Sequence, residues 1–361
     1  MTCLSDFQKL ERVGTGTYGS VYKALETKTG RIVALKKIKL PEDKEGVPKS
    51  AIREIRILQA LCDRRPDNED KKPDDKSKRR KASSDHSEDF FYGAKNIVSL
   101  LGTCGSKPDE RNRYRGSLYL VLEFCAHDLT GFLEFRGRLQ VPLPEIKNIM
   151  RQILLAIDYC HMRNVIHRDI KCANLLIDSR GVVKLADFGL AREFEAEKQG
   201  PFTSKVITVW YRPPCLLLGS TQYGLEVDLW SVGAIFGELL AGRPLFNAEK
   251  DRQVLELIAE LVGVNLTLWH TLPLWAEYSP TLRPSRTSPC KLRSTLLKEI
   301  TENSWHLVSS LIALDPKSRM HASVALEHPF FDESPHASQT LILPPESCHS
   351  LKMKQKRQRI E

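Results

Sequence analysis

Four short motifs follow one another along this chain of 361 residues, and their combination restricts its fold more than any other feature of the sequence. The first is the G-x-G-x-x-G-x-V run Gly14-Thr15-Gly16-Thr17-Tyr18-Gly19-Ser20-Val21, and Val33-Ala34-Leu35-Lys36 follows it. The third is His167-Arg168-Asp169-Ile170-Lys171-Cys172-Ala173-Asn174, and the fourth is Asp187-Phe188-Gly189. Each motif occurs by chance in unrelated proteins. All four in this order would require several independent coincidences.

The glycine motif taken alone leaves two interpretations open. Glycine lets a backbone approach phosphates closely, and its exposed N–H groups can bind them. A dinucleotide-binding fold needs such glycines to open a helix after a strand. Here the residues from Val21 to Leu25 read as a continuing strand, so that fold is disfavoured. A phosphate-binding hairpin and a plain glycine turn both remain.

Lys36 and three polar groups further along the chain suggest a phosphoryl-transfer site. A lysine within an apolar strand needs a partner, and Glu54, on a helix predicted to begin at Pro48, is the candidate. The alternative is a surface lysine on an edge strand. Asp169, Asn174 and Asp187 supply two carboxylates and an amide oxygen, which can serve as a base and as Mg²⁺ ligands.

With these motifs the sequence resembles the eukaryotic protein kinases, from about Phe7 to Phe331. The resemblance implies an α+β bilobal protein kinase fold, with a β-rich N-lobe that has one main helix and a mainly helical C-lobe. The expected division is an N-terminal extension at 1–6, an N-lobe at about 7–122, a hinge at 123–128, a C-lobe at 129–331 and a tail at 332–361. Periodicity separately predicts a strand at 118–122 and helices at 145–161 and 228–241.

The resemblance also implies roles for individual residues. Asp169 would accept the substrate proton, Lys171 would steady the transferred phosphoryl group, and Asn174 with Asp187 would bind Mg²⁺. Asp228 would hold the backbone of the catalytic loop, although a simple helix N-cap fits the same position. The expected ATP-binding residues are Val13, Gly14, Gly16, Gly19, Val21, Ala34, Lys36, Glu54, Leu122 (as gatekeeper), Glu123, Cys125 and Asp128.

Within the protein kinases, Pro48-Lys49-Ser50-Ala51-Ile52-Arg53-Glu54 resembles the cyclin-docking helix of the cyclin-dependent kinases. A cyclin is therefore the expected partner, and the segment 206–214 implies substrates with proline after the phosphorylated Ser or Thr. Thr203 aligns with the activating phosphothreonine, which Arg53, Arg168 and Arg192 are expected to surround only after phosphorylation. Thr17 and Tyr18 match the inhibitory phosphosites of the cell-cycle members.

Segments 123–129 and 171–174 most resemble the transcription-type members, which phosphorylate the repeat tail of RNA polymerase II, whereas Thr17-Tyr18 resembles the cell-cycle type. One departure concerns activity. The family has Glu where this chain has Cys215, and that Glu pairs with a buried arginine that corresponds to Arg319. Losing one member of such a pair costs about 3–5 kcal/mol. A cyclin-docking scaffold with weak activity is therefore a further alternative.

Composition sets the remaining expectations. The formal net charge is +9, but five positive charges lie in the tail segment 352–359, and a charged insert at 63–89 is expected to be disordered. Because the basic residues are concentrated there, we expect no direct nucleic-acid binding. Each of these two segments fits either solvated surface charge or a nuclear-import signal, and the expected location is the nucleus. No apolar run spans a membrane, the N-terminus does not resemble a signal peptide, and the nine cysteines have no C-x-x-C spacing.

Overall fold

The computed structural model describes residues 2–16, 19–38, 46–62, 93–107, 116–137, 141–195, 201–263, 289–296 and 300–349. The charged segment 63–89, the basic segment 352–359 and the pair Thr17-Tyr18 lie outside the described residues. The described parts form two lobes, in agreement with the predicted α+β bilobal fold.

The N-lobe is built on a six-stranded sheet in the order β1-β5-β6-β4-β3-β2. Strand β1 pairs parallel with β5, and the other neighbours are antiparallel. The strands are β1 (Thr2–Cys3), β2 (Phe7–Gly16), β3 (Gly19–Glu26), β4 (Ile32–Lys37), β5 (Leu100–Ser106) and β6 (Ser117–Glu123). The predicted strand at 118–122 is therefore confirmed as part of β6.

Both faces of this sheet are covered, which explains why Val33, Ala34 and Leu35 on β4 are all buried. Side chains alternate between the two faces of a strand. Val33 and Leu35 belong to the outer cluster with Phe7 and Tyr119, while Ala34 faces the main core. The N-terminal residue Leu4 packs against the outer cluster, so the extension at 1–6 covers part of the sheet.

Helix α1 (Lys49–Cys62) packs against the inner face of the sheet. Its buried residues are Ala51, Glu54, Ile57, Leu58, Leu61 and Cys62. Ile52 on the same helix is 47% exposed. The helix is therefore apolar on part of its outer side as well.

The C-lobe is helical and is organised around α5 (Glu226–Ala241), which is buried from Val227 to Ala241. The expected helices at 145–161 and 228–241 each begin two residues earlier than predicted, at Leu143 and Glu226. The other helices of the described C-lobe are α2 (Leu129–Arg136), α3 (Leu143–His161), α4 (Pro214–Leu217), α6 (Asp251–Leu261), α7 (Leu292–Thr295), α8 (Glu302–Leu311) and α9 (Ala322–Leu326). No described helix is both long and apolar enough to cross a membrane.

Short strands lie along the chain from the hinge to residue 193, and helices and loops of the C-lobe connect them. These are β7 (His127–Asp128), β8 (Val165–Ile166), β9 (Leu175–Ile177), β10 (Val183–Leu185) and β11 (Arg192–Glu193). Strand β9 lies between β10 and β7, and β11 pairs with β8. Asp128 accepts a hydrogen bond from the backbone of Gly131 at 2.9 Å and so caps α2 directly after the hinge.

A stacked histidine pair, His306 and His328, lies in the C-lobe. The Phe330 N–H donates to Nδ1 of His328, so Nε2 of His328 carries the proton and donates to Nδ1 of His306 at 2.8 Å. Burial, together with the neighbouring His306, lowers the pKa of His328 below its ordinary value of 6.5. Protonation of His328 therefore occurs more readily in the unfolded chain than in the folded one.

We expect the pair to make the fold sensitive to acid. Because the folded pKa of His328 is lowered, its contribution to stability is complete above about pH 6.5 and is lost as the pH falls below that value. His328→Asn keeps an acceptor for Phe330 but cannot be protonated, so its melting temperature should fall less than that of the parent between pH 7 and 5.5. His336→Asn, at an exposed position, is the control. Identical pH profiles for the parent and His328→Asn would contradict this assignment.

Candidate active site

A cleft of about 690 Å³ lies between the two lobes, and the predicted ATP-binding and catalytic residues converge on it. Its lining includes Val13, Gly14, Gly19, Val21, Ala34, Lys36, Glu54, Leu122, Glu123, Cys125, Asp128, Asp169, Lys171, Asn174 and Asp187. Gly16 is at the end of β2, at the mouth of the hairpin. Residues separated by more than 150 positions therefore meet in one cavity.

The glycine motif closes an antiparallel hairpin between β2 and β3, with Gly14 opposite Val21 and Gly16 opposite Gly19. A strand-to-helix arrangement, as in dinucleotide-binding folds, is therefore excluded for this segment. Gly19 has φ +152°, and a Cβ there would lie 1.7 Å from the carbonyl oxygen of Lys37. Only glycine fits this position, because the hairpin approaches the end of β4 so closely.

Lys36 is the centre of an ion network that joins the two lobes. Its Nζ lies 2.6 Å from Oε1 of Glu54 on α1 and 2.7 Å from Oδ1 of Asp187. Burial alone would lower the pKa of Lys36, but the two carboxylates outweigh burial and raise it. The ammonium group in turn holds the pKa of Asp187 below its usual value despite the burial of that carboxyl. The pKa shifts of Lys36 and Asp187 both favour the charged forms, whereas burial raises the pKa of Glu54 despite the nearby ammonium group. Because Lys36 is buried on an inner strand of the sheet, the edge-strand alternative is wrong.

Asp169 lies in a second hydrogen-bonded group at the floor of the cleft. Its carboxylate accepts from Lys171 Nζ at 2.8 Å, from Asn174 Nδ2 at 3.0 Å and from Thr208 Oγ1 at 3.2 Å. Lys171 also donates to Thr208 at 3.0 Å. Thr208 was not identified from the sequence as a site residue. It lies 39 positions from Asp169, and only the path of the chain after Thr203 brings it there.

Asp228 anchors the backbone that directly precedes Asp169, and the alternative role as an N-cap is wrong because Leu225 is the N-cap of α5. Its oxygens accept from the backbone N–H groups of His167 at 2.8 Å and Arg168 at 2.9 Å, and from His161 Nε2 at 3.0 Å. Burial by itself would raise the pKa of Asp228, but the hydrogen bonds and charge of His161, together with the Arg168 N–H bond, lower it. A buried carboxylate thus fixes the two residues that precede Asp169.

Asn174 and Asp187 present an oxygen donor set that suits a hard cation. The amide nitrogen of Asn174 is bound to the backbone and side chain of Asp169, which leaves its oxygen as an acceptor. Asp187 has φ +64°, a conformation that costs energy for a residue other than glycine, and it uses Oδ1 for Lys36. Carboxylate and amide oxygens are ligands that Mg²⁺ prefers, and substrate phosphates usually complete its shell. These residues therefore fit a magnesium ion bound together with a nucleotide.

The tail contributes the side chain of His349 to the lining of the cleft. The sequence analysis did not identify this residue. Residues 338–349, here called the strap, run along the C-lobe to the hinge, where His349 Nε2 lies 3.0 Å from the carbonyl oxygen of Cys125. Ser347 Oγ donates to the Ala126 carbonyl at 2.6 Å, and Cys348 Sγ contacts His127 Nδ1 at 3.1 Å. A Cβ at Gly131 would lie 1.5 Å from the Cys348 carbonyl oxygen, so glycine there allows the close approach.

Two of the three arginines expected around Thr203 share one acceptor. Arg168 Nε donates to the carbonyl of Leu190 at 2.8 Å, and Arg192 Nη1 donates to the same oxygen at 3.3 Å. The expectation that a phosphate alone gathers the arginines is therefore wrong for this pair, because the protein backbone also holds them together. Arg53, on α1, belongs to the same predicted phosphate pocket.

Arg319 has backbone partners in place of the expected carboxylate. It donates to the carbonyls of Ala313 at 2.9 Å, Glu226 at 3.1 Å and Leu314 at 3.4 Å, which together form a carbonyl cage. Its guanidinium also lies 5.1 Å from the ring centre of Trp230. No carboxylate of the described residues forms an ion pair with it. Burial raises the pKa of the Cys215 thiol although Arg319 is close, so Cys215 is neutral.

Comparisons with known proteins agree with this geometry. The family model for the protein kinase domain matches residues 7–65 and 71–331. Cyclin-dependent kinase C-2 of Oryza sativa subsp. japonica is 40% identical over 355 residues, which are 97% of this chain but 64% of that protein. Cyclin-dependent kinase 12 of Drosophila melanogaster is 38% identical over 99% of this chain and 28% of its own length. Cyclin-dependent kinase 9 of Homo sapiens is 36% identical over 93% of this chain and 82% of its own length. The chain therefore spans less than two thirds of the first two of these relatives.

The carbonyl cage leads to a prediction about stability. Removing the guanidinium in Arg319→Met leaves three carbonyls unpaired and should lower the free energy of unfolding by on the order of 3 kcal/mol. Cys215→Ala should cost only about 1 kcal/mol, because it removes a small neutral group. Urea denaturation of the two variants and the parent measures both values. Equal losses in the two variants would mean that the thiol is the main partner of Arg319.

Proposed function

Because this chain belongs to the protein kinase domain family and within it to the cyclin-dependent kinases, we propose that it transfers the γ-phosphate of ATP to serine and threonine side chains. The observation that carries the proposal is the joint arrangement of Lys36, Glu54 and Asp187 opposite Asp169 and Asn174 in one cleft. A nucleotide-binding protein without catalysis would not need a carboxylate such as Asp169 hydrogen-bonded to a lysine beside it.

Each residue has a distinct task in the proposed reaction. Lys36 contacts the α- and β-phosphates while Glu54 holds it, and Val13, Val21 and Ala34 enclose the adenine. Mg²⁺, held by Asn174 and Asp187, would neutralise charge on the phosphates. Asp169 accepts the proton of the substrate hydroxyl as that oxygen attacks the γ-phosphorus. The bond between the γ-phosphorus and the bridging oxygen of the β-phosphate breaks, ADP leaves, and Lys171 stabilises the negative charge of the transferred group.

The proposed partner is a cyclin that binds the outer side of α1. Glu54 points inward to Lys36, whereas Ile52 on the same helix and Val47 just before it are 47% and 39% exposed. A partner that covers these two apolar side chains would press the helix against the sheet. The position of Glu54, and with it the Lys36 network, would then depend on cyclin.

The substrate proposed is a Ser or Thr followed by proline. Ile207 has φ +66°, and its carbonyl oxygen accepts from Arg212 Nη2 at 2.8 Å and Nε at 3.2 Å. That carbonyl is therefore unavailable to the backbone N–H of a substrate residue after the phosphorylated one. Proline has no N–H to leave unsatisfied, so it is favoured there.

The proposed setting is transcription control in the nucleus. The residues at 123–129 and 171–174 resemble the transcription-type members, and the relatives include cyclin-dependent kinases 9 and 12. A Ser-Pro repeat, as in the tail of RNA polymerase II, also meets the proline requirement at Ile207. The alternative of a weakly active scaffold loses its main support, because the carbonyl cage accommodates Arg319 without the missing Glu.

The kinase proposal predicts the effect of two substitutions on phosphate transfer, and of one of them on stabilisation by Mg-ATP. In the complex with its cyclin, Asp187→Asn should abolish phosphate transfer to a Ser-Pro repeat peptide. Lys36→Met should abolish transfer and also remove the rise in melting temperature that Mg-ATP gives the parent. Val324→Ala, at an exposed position on α9, is the control. A cyclin complex phosphorylated on Thr203 that transfers no phosphate would contradict the proposal and favour the scaffold.

Proline selectivity provides a separate prediction. Arg212→Met frees the Ile207 carbonyl, so the ratio of kcat/KM for a Ser-Pro peptide over a Ser-Ala peptide should fall about tenfold. Asp251→Asn is the matched control, because it removes only the ion pair of Arg212 with Asp251 at 2.8 Å. An unchanged ratio in Arg212→Met would refute the role of this carbonyl in selectivity.

A further inference from the structure

Tyr223 connects the catalytic loop to the activation segment through a single oxygen atom. It lies in the loop between α4 and α5 and is 6% exposed. Its hydroxyl is 2.9 Å from Arg168 Nη1 and 2.8 Å from the carbonyl oxygen of Thr203. Its ring packs on Phe202 with the ring centres 5.1 Å apart. The contacts made by this side chain therefore lie 55 and 20 positions away in the sequence.

The hydroxyl of Tyr223 can form both hydrogen bonds at once, as the donor in one and the acceptor in the other. The phenol has one proton, which it donates to the Thr203 carbonyl, while its lone pair accepts from Arg168. Burial raises the pKa of Tyr223 although the Arg168 charge opposes this shift. The hydroxyl therefore keeps its proton at neutral pH, and both bonds exist at the same time.

Arg168 is a residue whose position matters for catalysis. It directly precedes Asp169, it is 1% exposed, and its φ of +65° is unfavourable for a side chain of this size. Its backbone is fixed by Asp228, and its Nε by the Leu190 carbonyl. Among the described residues, Nη2 has no hydrogen-bond partner, which leaves one edge of the guanidinium available for a further acceptor.

We propose that Tyr223 is a positioning residue that couples Arg168 to the activation segment at Thr203 as long as Thr203 is unphosphorylated. The inference rests on the proposed kinase function. In the unphosphorylated chain, Tyr223 is the link that holds Thr203 next to Arg168. In the phosphorylated chain, the stronger charge-assisted bonds to phosphate make the phenol less important.

The test compares Tyr223→Phe with the parent, both as full chains in complex with cyclin. Each is prepared with Thr203 phosphorylated and after phosphatase treatment, and kcat and the KM for ATP are measured on a Ser-Pro peptide. Tyr223→Phe keeps the ring contact with Phe202 and removes only the hydroxyl. Tyr119→Phe is the matched control, since it removes a buried hydroxyl that bonds Lys9 at 2.9 Å in the N-lobe.

We expect Tyr223→Phe to lower kcat about tenfold in the unphosphorylated form and less than threefold in the phosphorylated form, with the KM for ATP unchanged. An equal loss in both forms, or no loss in either, would overturn the inference while leaving the kinase function intact. Transfer absent from the parent in both forms would instead refute the proposed function.

A second measurement does not need the variant to fold. In the unphosphorylated parent, the Tyr223 bridge should protect the backbone amides at 204–206 from hydrogen exchange nearly as well as after phosphorylation. Protection that appears only after Thr203 is phosphorylated would overturn the inference. That outcome would show that the phosphate alone orders this part of the activation segment.

Discussion

The burial of one ammonium group, that of Lys36, is the constraint on which the rest of this structure depends. A buried lysine is tolerated only when carboxylates surround it, and here one carboxylate comes from each lobe. Glu54 reaches Lys36 only if α1 lies against the inner face of the sheet. Asp187 reaches Lys36 only if the C-lobe lies directly against the inner face of the same sheet. The same ion network therefore fixes the helix, the relation of the lobes and the shape of the nucleotide cleft.

A second buried charge, Asp228, has the same importance within the C-lobe. Helix α5 is apolar along nearly its whole length, and the cost of placing a carboxylate in it is offset by three donors. Two of these donors are the backbone N–H groups directly before Asp169. The buried helix α5 thus fixes the backbone directly before Asp169, and the side chain of Arg168 connects this backbone through Tyr223 to Thr203.

The departures of this chain from its family show how backbone carbonyls can replace side-chain carboxylates. Cys215 stands where the resemblance to the cyclin-dependent kinases implies an acidic residue, and the guanidinium of Arg319 donates to the carbonyls of Ala313, Leu314 and Glu226. A carbonyl cage needs no partner charge, so the substitution at 215 is compatible with a buried arginine. Backbone atoms also position the strap. Because Gly131 has no side chain, the backbone of Cys348 can approach α2 closely, and this places His349 at the hinge.

The sequence by itself determined the bilobal fold, the identity of the cleft residues and the pairing of Lys36 with Glu54. These follow from short motifs in which neighbouring residues act together, and from apolar periods such as those of α3 and α5. Only the tertiary structure decided that Thr208, Tyr223 and His349 reach the catalytic region, and that Arg319 binds carbonyls. Contacts of that kind join positions far apart through backbone atoms and loop paths, and no pattern of residue types in the sequence records where a carbonyl oxygen will lie.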